Sequence, residues 1–160
     1  KIKKEKLFKT LKKFNGLKYR QQIIYRSKNL MIINDSKATS YSSSMSILRS
    51  LKNVYWIVGG LKKKGDKFLL SKKECATFKA YIFGKDKTFF VKHLKNIMNY
   101  QYFKTLILLI KKVFRDIKKE KNKEPKIILF SPAAASFDSF KNFEDRGEYF
   151  NKLIRKMTNA

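Results

Sequence analysis

Four short apolar runs, at residues 30–33, 54–58, 80–83 and 127–130, constrain this chain more than any other feature. Each is too short for a helix, rich in Ile, Val or aromatic residues, and followed by a polar residue or glycine. Runs of this kind read as strands buried on both faces, as in a parallel sheet. Helical stripes separate them. Met45, Leu48, Leu51 and Ile47 follow the first run, and residues 86–94 follow the third. Leu106, Leu109, Ile110, Val113, Phe114 and Ile117 precede the fourth, and a final helix over about 143–157 turns Phe143, Tyr149 or Phe150, Leu153 and Ile154 inward. Residues 21–26 form a further strand, in a hairpin into 30–33, and residues 97–102 a short one. The alternation predicts an α/β, Rossmann-like fold: a mostly parallel sheet with helices on both faces, in which 30–33, the helix after it and 54–58 make a βαβ unit. Residues 1–14 carry Leu7, Phe8, Leu11 and Phe14 at helical spacing, an amphipathic helix closed by Asn15-Gly16. A short helical stretch is expected after Gly59-Gly60.

In such a sheet, ligands bind beyond the carboxyl ends of the strands, where helix starts offer unpaired N–H groups to anions. Three polar loops sit there. Asn34-Asp35-Ser36-Lys37-Ala38-Thr39 follows the first run, Gly59-Gly60 through Lys63 the second, and Ser131 to Ser136 the last. Ser42, Ser43 and Ser44 are the candidate caps of the helix after the first loop. Lys37 and Lys63 supply cations, Thr39 and Ser136 hydroxyls, and the start of the Phe143 helix backbone donors, a set suited to a small anionic ligand such as a carboxylate or phosphate. Asp35 repels an anion, so its functional roles are to hold a sugar hydroxyl or orient a lysine. Asp35 and Thr39 as simple turn and cap residues is an equally good reading. The chain has no GxxxxGK[ST] loop and no GxGxxG fingerprint, so it contains no complete nucleotide-hydrolysing site.

The formal charge of +27 raises the question of nucleic acid. Only six of the 39 basic residues are Arg and 33 are Lys, whereas base readout and bidentate phosphate contacts favour arginine. Lysine spread along the whole chain argues against a specific nucleic-acid partner. The basic side of the 106–117 helix is read as a solvated face. Cys75 is the single cysteine, which gives no disulfide or zinc spacing and points to a reducing, cytoplasmic setting. His93 has no Cys, Asp or second His nearby, so it is read as a surface or packed histidine and not a ligand. The longest apolar run, 106–110, is far too short to span a membrane, and residues 1–20 lack a signal peptide's apolar centre.

Three motifs, in order, resemble the C-terminal domain of the D-glutamate-adding Mur ligases. They are Ile33-Asn34-Asp35-Ser36-Lys37-Ala38-Thr39, Val58-Gly59-Gly60 with Lys63, and the stretch from Ser131-Pro132-Ala133-Ala134-Ala135-Ser136 to Phe143-Glu144-Asp145-Arg146-Gly147. Phe14-Asn15-Gly16-Leu17-Lys18-Tyr19-Arg20 resembles the family's junction between central and C-terminal domains, with Tyr19 where His is usual; Ala134 stands where Cys is common. The resemblance implies residues 1–17 as the tail of a central domain plus linker, and 18–160 as the C-terminal domain. It implies an ATP-dependent ligase that phosphorylates the carboxylate of UDP-N-acetylmuramoyl-L-alanine and lets D-glutamate attack the acyl phosphate, in peptidoglycan synthesis. By similarity Arg20 and Asp35 contact the nucleotide, Lys37 sits near the reacting phosphate as the catalytic residue, and Thr39, Lys63, Ser136 and the backbone at Phe143 hold D-glutamate. The resemblance further implies ATP and Mg2+ bound mainly by an upstream central domain, an N-terminal domain for the uridine nucleotide, a cytoplasmic monomer, and no activity in this chain alone. The other readings are a non-catalytic carboxylate- or nucleotide-binding module and a lysine-rich nucleic-acid binder.

Overall fold

A computed structural model describes residues 16–158. The helix expected over 1–14 and its end at Asn15 lie outside them. The described chain runs β1 (Gln22–Arg26), β2 (Leu30–Asn34), α1 (Tyr41–Leu48), β3 (Val54–Gly59), β4 (Phe78–Phe83), α2 (Lys87–Leu94), β5 (Asn99–Tyr102), α3 (Leu106–Lys119), β6 (Lys126–Phe130) and α4 (Phe143–Thr158). One six-stranded sheet has the order β1-β2-β6-β3-β4-β5. Only β1 is antiparallel, joined to β2 as the expected hairpin; the other neighbours are all parallel.

Side-chain alternation along these strands feeds two cores, one on each face. Ile33, Trp56, Val58, Ala80, Ile82 and Leu129 point to α1 and α2, where they meet Met45, Leu48, Phe90 and Leu94. Ile32, Tyr55, Ile57, Tyr81, Ile128 and Phe130 point the other way, onto Leu109, Ile110 and Val113 of α3 and Phe150 and Ile154 of α4. Burial on both faces explains why β3 reads as an unbroken apolar run.

β2 and β3 are parallel strands of one sheet joined through α1, the expected βαβ unit, with β6 inserted between them. Two local expectations are corrected. Helix α1 begins earlier than its apolar stripe. Its N-cap is Ser40, whose side chain accepts from the Ser43 amide, and Ser42 to Ser44 fall inside its first turn. Residues 61–77 form no helix. They run as turns and extended chain across α1, seated by the buried Phe68, Leu70 and Cys75, with the Asp66 carboxylate accepting from the Tyr41 amide.

His93 packs among aromatic rings, 4.4 Å from Phe89 and 5.7 Å from Tyr41 between centroids, with Nδ1 3.0 Å from the Phe89 carbonyl oxygen. Of the surface and packed alternatives, this is the packed one. No described helix is long and apolar enough to cross a membrane.

Candidate functional site

The strands β2, β6, β3 and β4 are consecutive in the sheet and end at Asn34, Phe130, Gly59 and Phe83, which puts the loops that follow on a single rim. Backbone hydrogen bonds lace these loops together. The Asp35 amide donates to the Phe130 carbonyl at 2.7 Å and the Gly59 amide to Pro132 at 2.8 Å, while Leu61 and Ala135 exchange bonds of 3.0 and 2.9 Å. Glycine is required at this crossing. A Cβ on Gly59, whose φ is +135°, would lie 1.9 Å from the Phe83 carbonyl oxygen; one on Gly60, φ +131°, would lie 2.5 Å from that of Ala135.

The first loop is held from below by buried polar groups. Asn34 donates through Nδ2 to the Gly147 carbonyl at 2.9 Å and to Asn151 Oδ1 at 2.7 Å, and its Oδ1 accepts from the Ser36 amide. Ser36 Oγ donates to the Phe143 carbonyl at 2.8 Å. Arg146, 0% exposed, donates from Nε to Ser36 Oγ at 3.1 Å and from Nη2 to the Ser36 carbonyl at 2.8 Å, and its buried Nη1 has no hydrogen-bond partner among the described residues. Burial lowers this guanidinium to a pKa of about 10, against a raising influence from Asp138, so it stays charged at neutral pH.

Above this base lies a cavity of about 440 Å³ lined by Gly16, Leu17, Arg20, Gln21, Asp35, Lys37, Ala38 and Ser43. Asp35 is buried at its wall. Its Oδ2 accepts from Ser131 Oγ at 2.8 Å and its Oδ1 from the Gln21 amide at 3.1 Å. Burial raises the Asp35 carboxyl above the ordinary carboxylate range, outweighing the downward pull of those two bonds and of the Arg20 charge. Arg20 sits between two left-handed residues, Tyr19 at φ 61° and Gln21 at φ 45°. Such backbone needs an anchor. Tyr19 supplies one: its phenol donates to Glu148 Oε2 at 3.2 Å, its carbonyl accepts from the Lys37 amide at 3.0 Å, and its ring lies where a side chain on Gly147 would be. The Lys37 ammonium rests 3.7 Å from the centroid of the Phe143 ring.

The structure thus brings Arg20, Asp35 and Lys37 into one cavity and sets Phe143 against Lys37. Ser136 is buried on the loop that pairs with Leu61, and its carbonyl accepts from the amides of Ser139 and Phe140. Thr39 and Lys63 are exposed on the rim and share no hydrogen bond with the other candidates among the described residues. At the start of α4, Asn142 takes the Asp145 and Arg146 amides. Sequence reasoning gave no role to Asn34, Ser36, Ser131 or Arg146. A signal for Arg146 was present, because it stands four residues before Phe150 and eight before Ile154, on the inward stripe of α4.

Known proteins similar to the chain carry a consistent description. A UDP-N-acetylmuramoylalanine–D-glutamate ligase of Wolbachia sp. subsp. Brugia malayi is 38% identical over 150 residues, 94% of this chain and 30% of that protein. Ligases of the same description from Francisella philomiragia and Agrobacterium fabrum are each 36% identical, over 92% and 93% of this chain and 35% and 32% of theirs. The chain is a homologue of part of the D-glutamate-adding Mur ligases. It spans about a third of the length of these relatives, consistent with a C-terminal domain. Matches over more than nine-tenths of this Mur ligase homologue take in all three rim loops, which lie well inside its ends. No family model matches the chain. Among solved structures, a MurF ligase from Thermotoga maritima in complex with ADP is 14% identical with a TM-score of 0.43, covering 94% of this chain and 36% of that one, a similarity too low to bear on function.

Proposed function

We propose that this chain is the C-terminal domain, residues 18–160, preceded over 1–17 by the helical tail of a central domain and the interdomain linker, of a cytoplasmic, ATP-dependent ligase that joins D-glutamate to UDP-N-acetylmuramoyl-L-alanine through an acyl phosphate. The observation that carries the reading is the convergence of Arg20, Asp35 and Lys37 on one cavity at the carboxyl rim of the sheet, in a chain matched over nearly its whole length by ligases of that description. In this reading Arg20 and Asp35 face the nucleotide and Lys37 the reacting phosphate. Thr39, Lys63, Ser136 and the Phe143 backbone receive the carboxylates of D-glutamate. ATP supplies the phosphoryl group. This chain's residues contribute positioning and positive charge where negative charge develops, the two effects such a reaction needs. The Mg2+ that accompanies ATP is assigned to the remainder of the ligase, where the family resemblance puts the ATP-binding domain.

The test is a hybrid in which this chain replaces the corresponding third of the Agrobacterium fabrum ligase. The hybrid should form product dependent on D-glutamate, and Lys37→Met should lower kcat by on the order of 100-fold, the usual effect of removing one charge-stabilising donor. A folded hybrid with no D-glutamate-dependent product, or one indifferent to Lys37→Met, would refute the reading.

A further inference from the structure

Lys37 has an unusual partner for a lysine on a polar rim. No carboxylate lies within ion-pair distance of it among the described residues, and the acid two positions away, Asp35, already accepts from Gln21 and Ser131. Its ammonium instead sits over the Phe143 ring at 3.7 Å, well inside the roughly 6 Å reach of a cation–π contact. Both ends of this contact are pinned. The Lys37 amide donates to Tyr19, and the preceding Ser36 is fixed by the Phe143 carbonyl and by Arg146, so two backbones far apart in sequence are held at a set distance.

The difference between a ring and a carboxylate decides what the contact is for. A carboxylate would hold the ammonium by neutralising it, and would then compete with any anion arriving in the cavity. A π face attracts a cation through its quadrupole while leaving the net charge intact. The start of α4, whose first residue is Phe143, adds partial positive charge beside it. The ring therefore restrains a flexible side chain without cancelling its field. We infer that the Phe143 ring is a positioning residue that orients the Lys37 ammonium at the wall of the Arg20–Asp35 cavity and keeps it available to an anionic group. The inference rests on the functional reading above for the nature of that group, and gives the side chain of Phe143 a role separate from its backbone.

Two measurements test it. In NMR spectra of the chain itself, the Lys37 Cε protons, assigned by loss in Lys37→Arg, should resonate upfield of the other lysines through the ring current, revert in Phe143→Leu and remain displaced in Phe143→Trp. In the hybrid ligase, Phe143→Leu should lower kcat by roughly 2- to 30-fold, the range spanned by cation–π strengths. KM for D-glutamate should change little, Phe143→Trp should recover most of the rate, and Phe143→Leu should add nothing in a Lys37→Met background. Lys37 protons indistinguishable from those of other lysines would overturn the contact, whatever the chain does. A Phe143→Leu loss that persists in the Lys37→Met background, or that Trp fails to recover, would overturn the positioning role. An upfield Lys37 in a ligase indifferent to Lys37→Met would sink the functional reading, and with it the purpose assigned to the ring.

Discussion

Lys63 lies in the exposed run Lys62-Lys63-Lys64, and the three lysines differ in what their neighbours do. The Lys62 amide donates to Asp86 Oδ2 at 2.9 Å and its ammonium is 5.8 Å from the Phe89 ring, so Lys62 is engaged with the start of α2. The Lys63 carbonyl accepts from the Asp66 amide at 3.2 Å, which turns the loop and leaves the Lys63 side chain to the solvent above the rim. A hydrogen bond to a charged group is worth about 1.5–3 kcal/mol, so Lys63→Ala in the hybrid ligase should lower kcat/KM for D-glutamate by roughly 10- to 150-fold and that for ATP much less. Lys62→Ala and Lys64→Ala should each cost under ~1 kcal/mol. Steady-state kinetics in which Lys62 or Lys64 carried the effect would shift the register of the loop by one. At this scale the sequence showed which polar residues stand at the rim but not how they are used. Asp35 illustrates why: as a turn residue and as a cavity wall it needs the same position, and its partners, Gln21 and Ser131, come from 14 and 96 residues away.

Among the elements, those with a strong period were legible almost to the residue, and α3 at Leu106–Lys119 needed only two residues beyond its apolar stripe. Helix α1 was displaced because serines inside a first turn and a serine cap look alike in sequence; the choice of Ser40 is made by the extended backbone there, φ −149° and ψ 158°. What the residue after α3 pairs with was not legible at all. Glu120 follows its last residue and pairs with Lys79 of β4 and, at 3.8 Å, with Lys126 of β6, whose buried ammonium also donates to the carbonyls of Asn122 and Glu124. Chiefly through its bond from Lys79, the Glu120 carboxyl is held below the ordinary range. A lowered folded-state pKa means stability present above the unfolded value and lost as pH falls through the folded one. Glu120→Gln should thus cost about 1 kcal/mol at pH 7, and the gap to the parent should close as pH drops below the usual carboxylate range. Urea denaturation of both proteins along that acid limb checks it; a gap that stayed constant would mean the side chain acts by packing and not by charge.

At the scale of the molecule, the class of fold and the common rim followed from the order of apolar runs and polar stops, whereas the order of strands did not. Each inner strand is apolar on both faces, so nothing in its pattern says which neighbour it takes, and the return of β6 between β2 and β3 is a long-range choice. Charge is the other property of the whole. The chain has 39 basic residues against 12 acidic ones, a formal net charge of +27, so most of the lysine charge is uncompensated and repels itself. Raising salt shortens the Debye length from about 30 Å at 0.01 M to about 8 Å at 0.15 M, which relieves repulsion between distant lysines more than it weakens contacts such as Lys79–Glu120. The melting temperature of the chain should therefore rise over that range, by roughly 2–4 °C for each kcal/mol of repulsion removed. The same screening should abolish binding to DNA or RNA, since lysine–phosphate contacts carry no sequence preference and six to ten of them lose about 10³- to 10⁵-fold in affinity between 50 and 200 mM salt. Thermal unfolding and a fluorescence titration with an arbitrary oligonucleotide, run across one salt series, read both effects. A melting temperature that fell with salt would show that the ion pairs outweigh the repulsion. A tight complex that survived 0.2 M salt and preferred one sequence would make nucleic acid the partner, with the rim cavity then serving some other end.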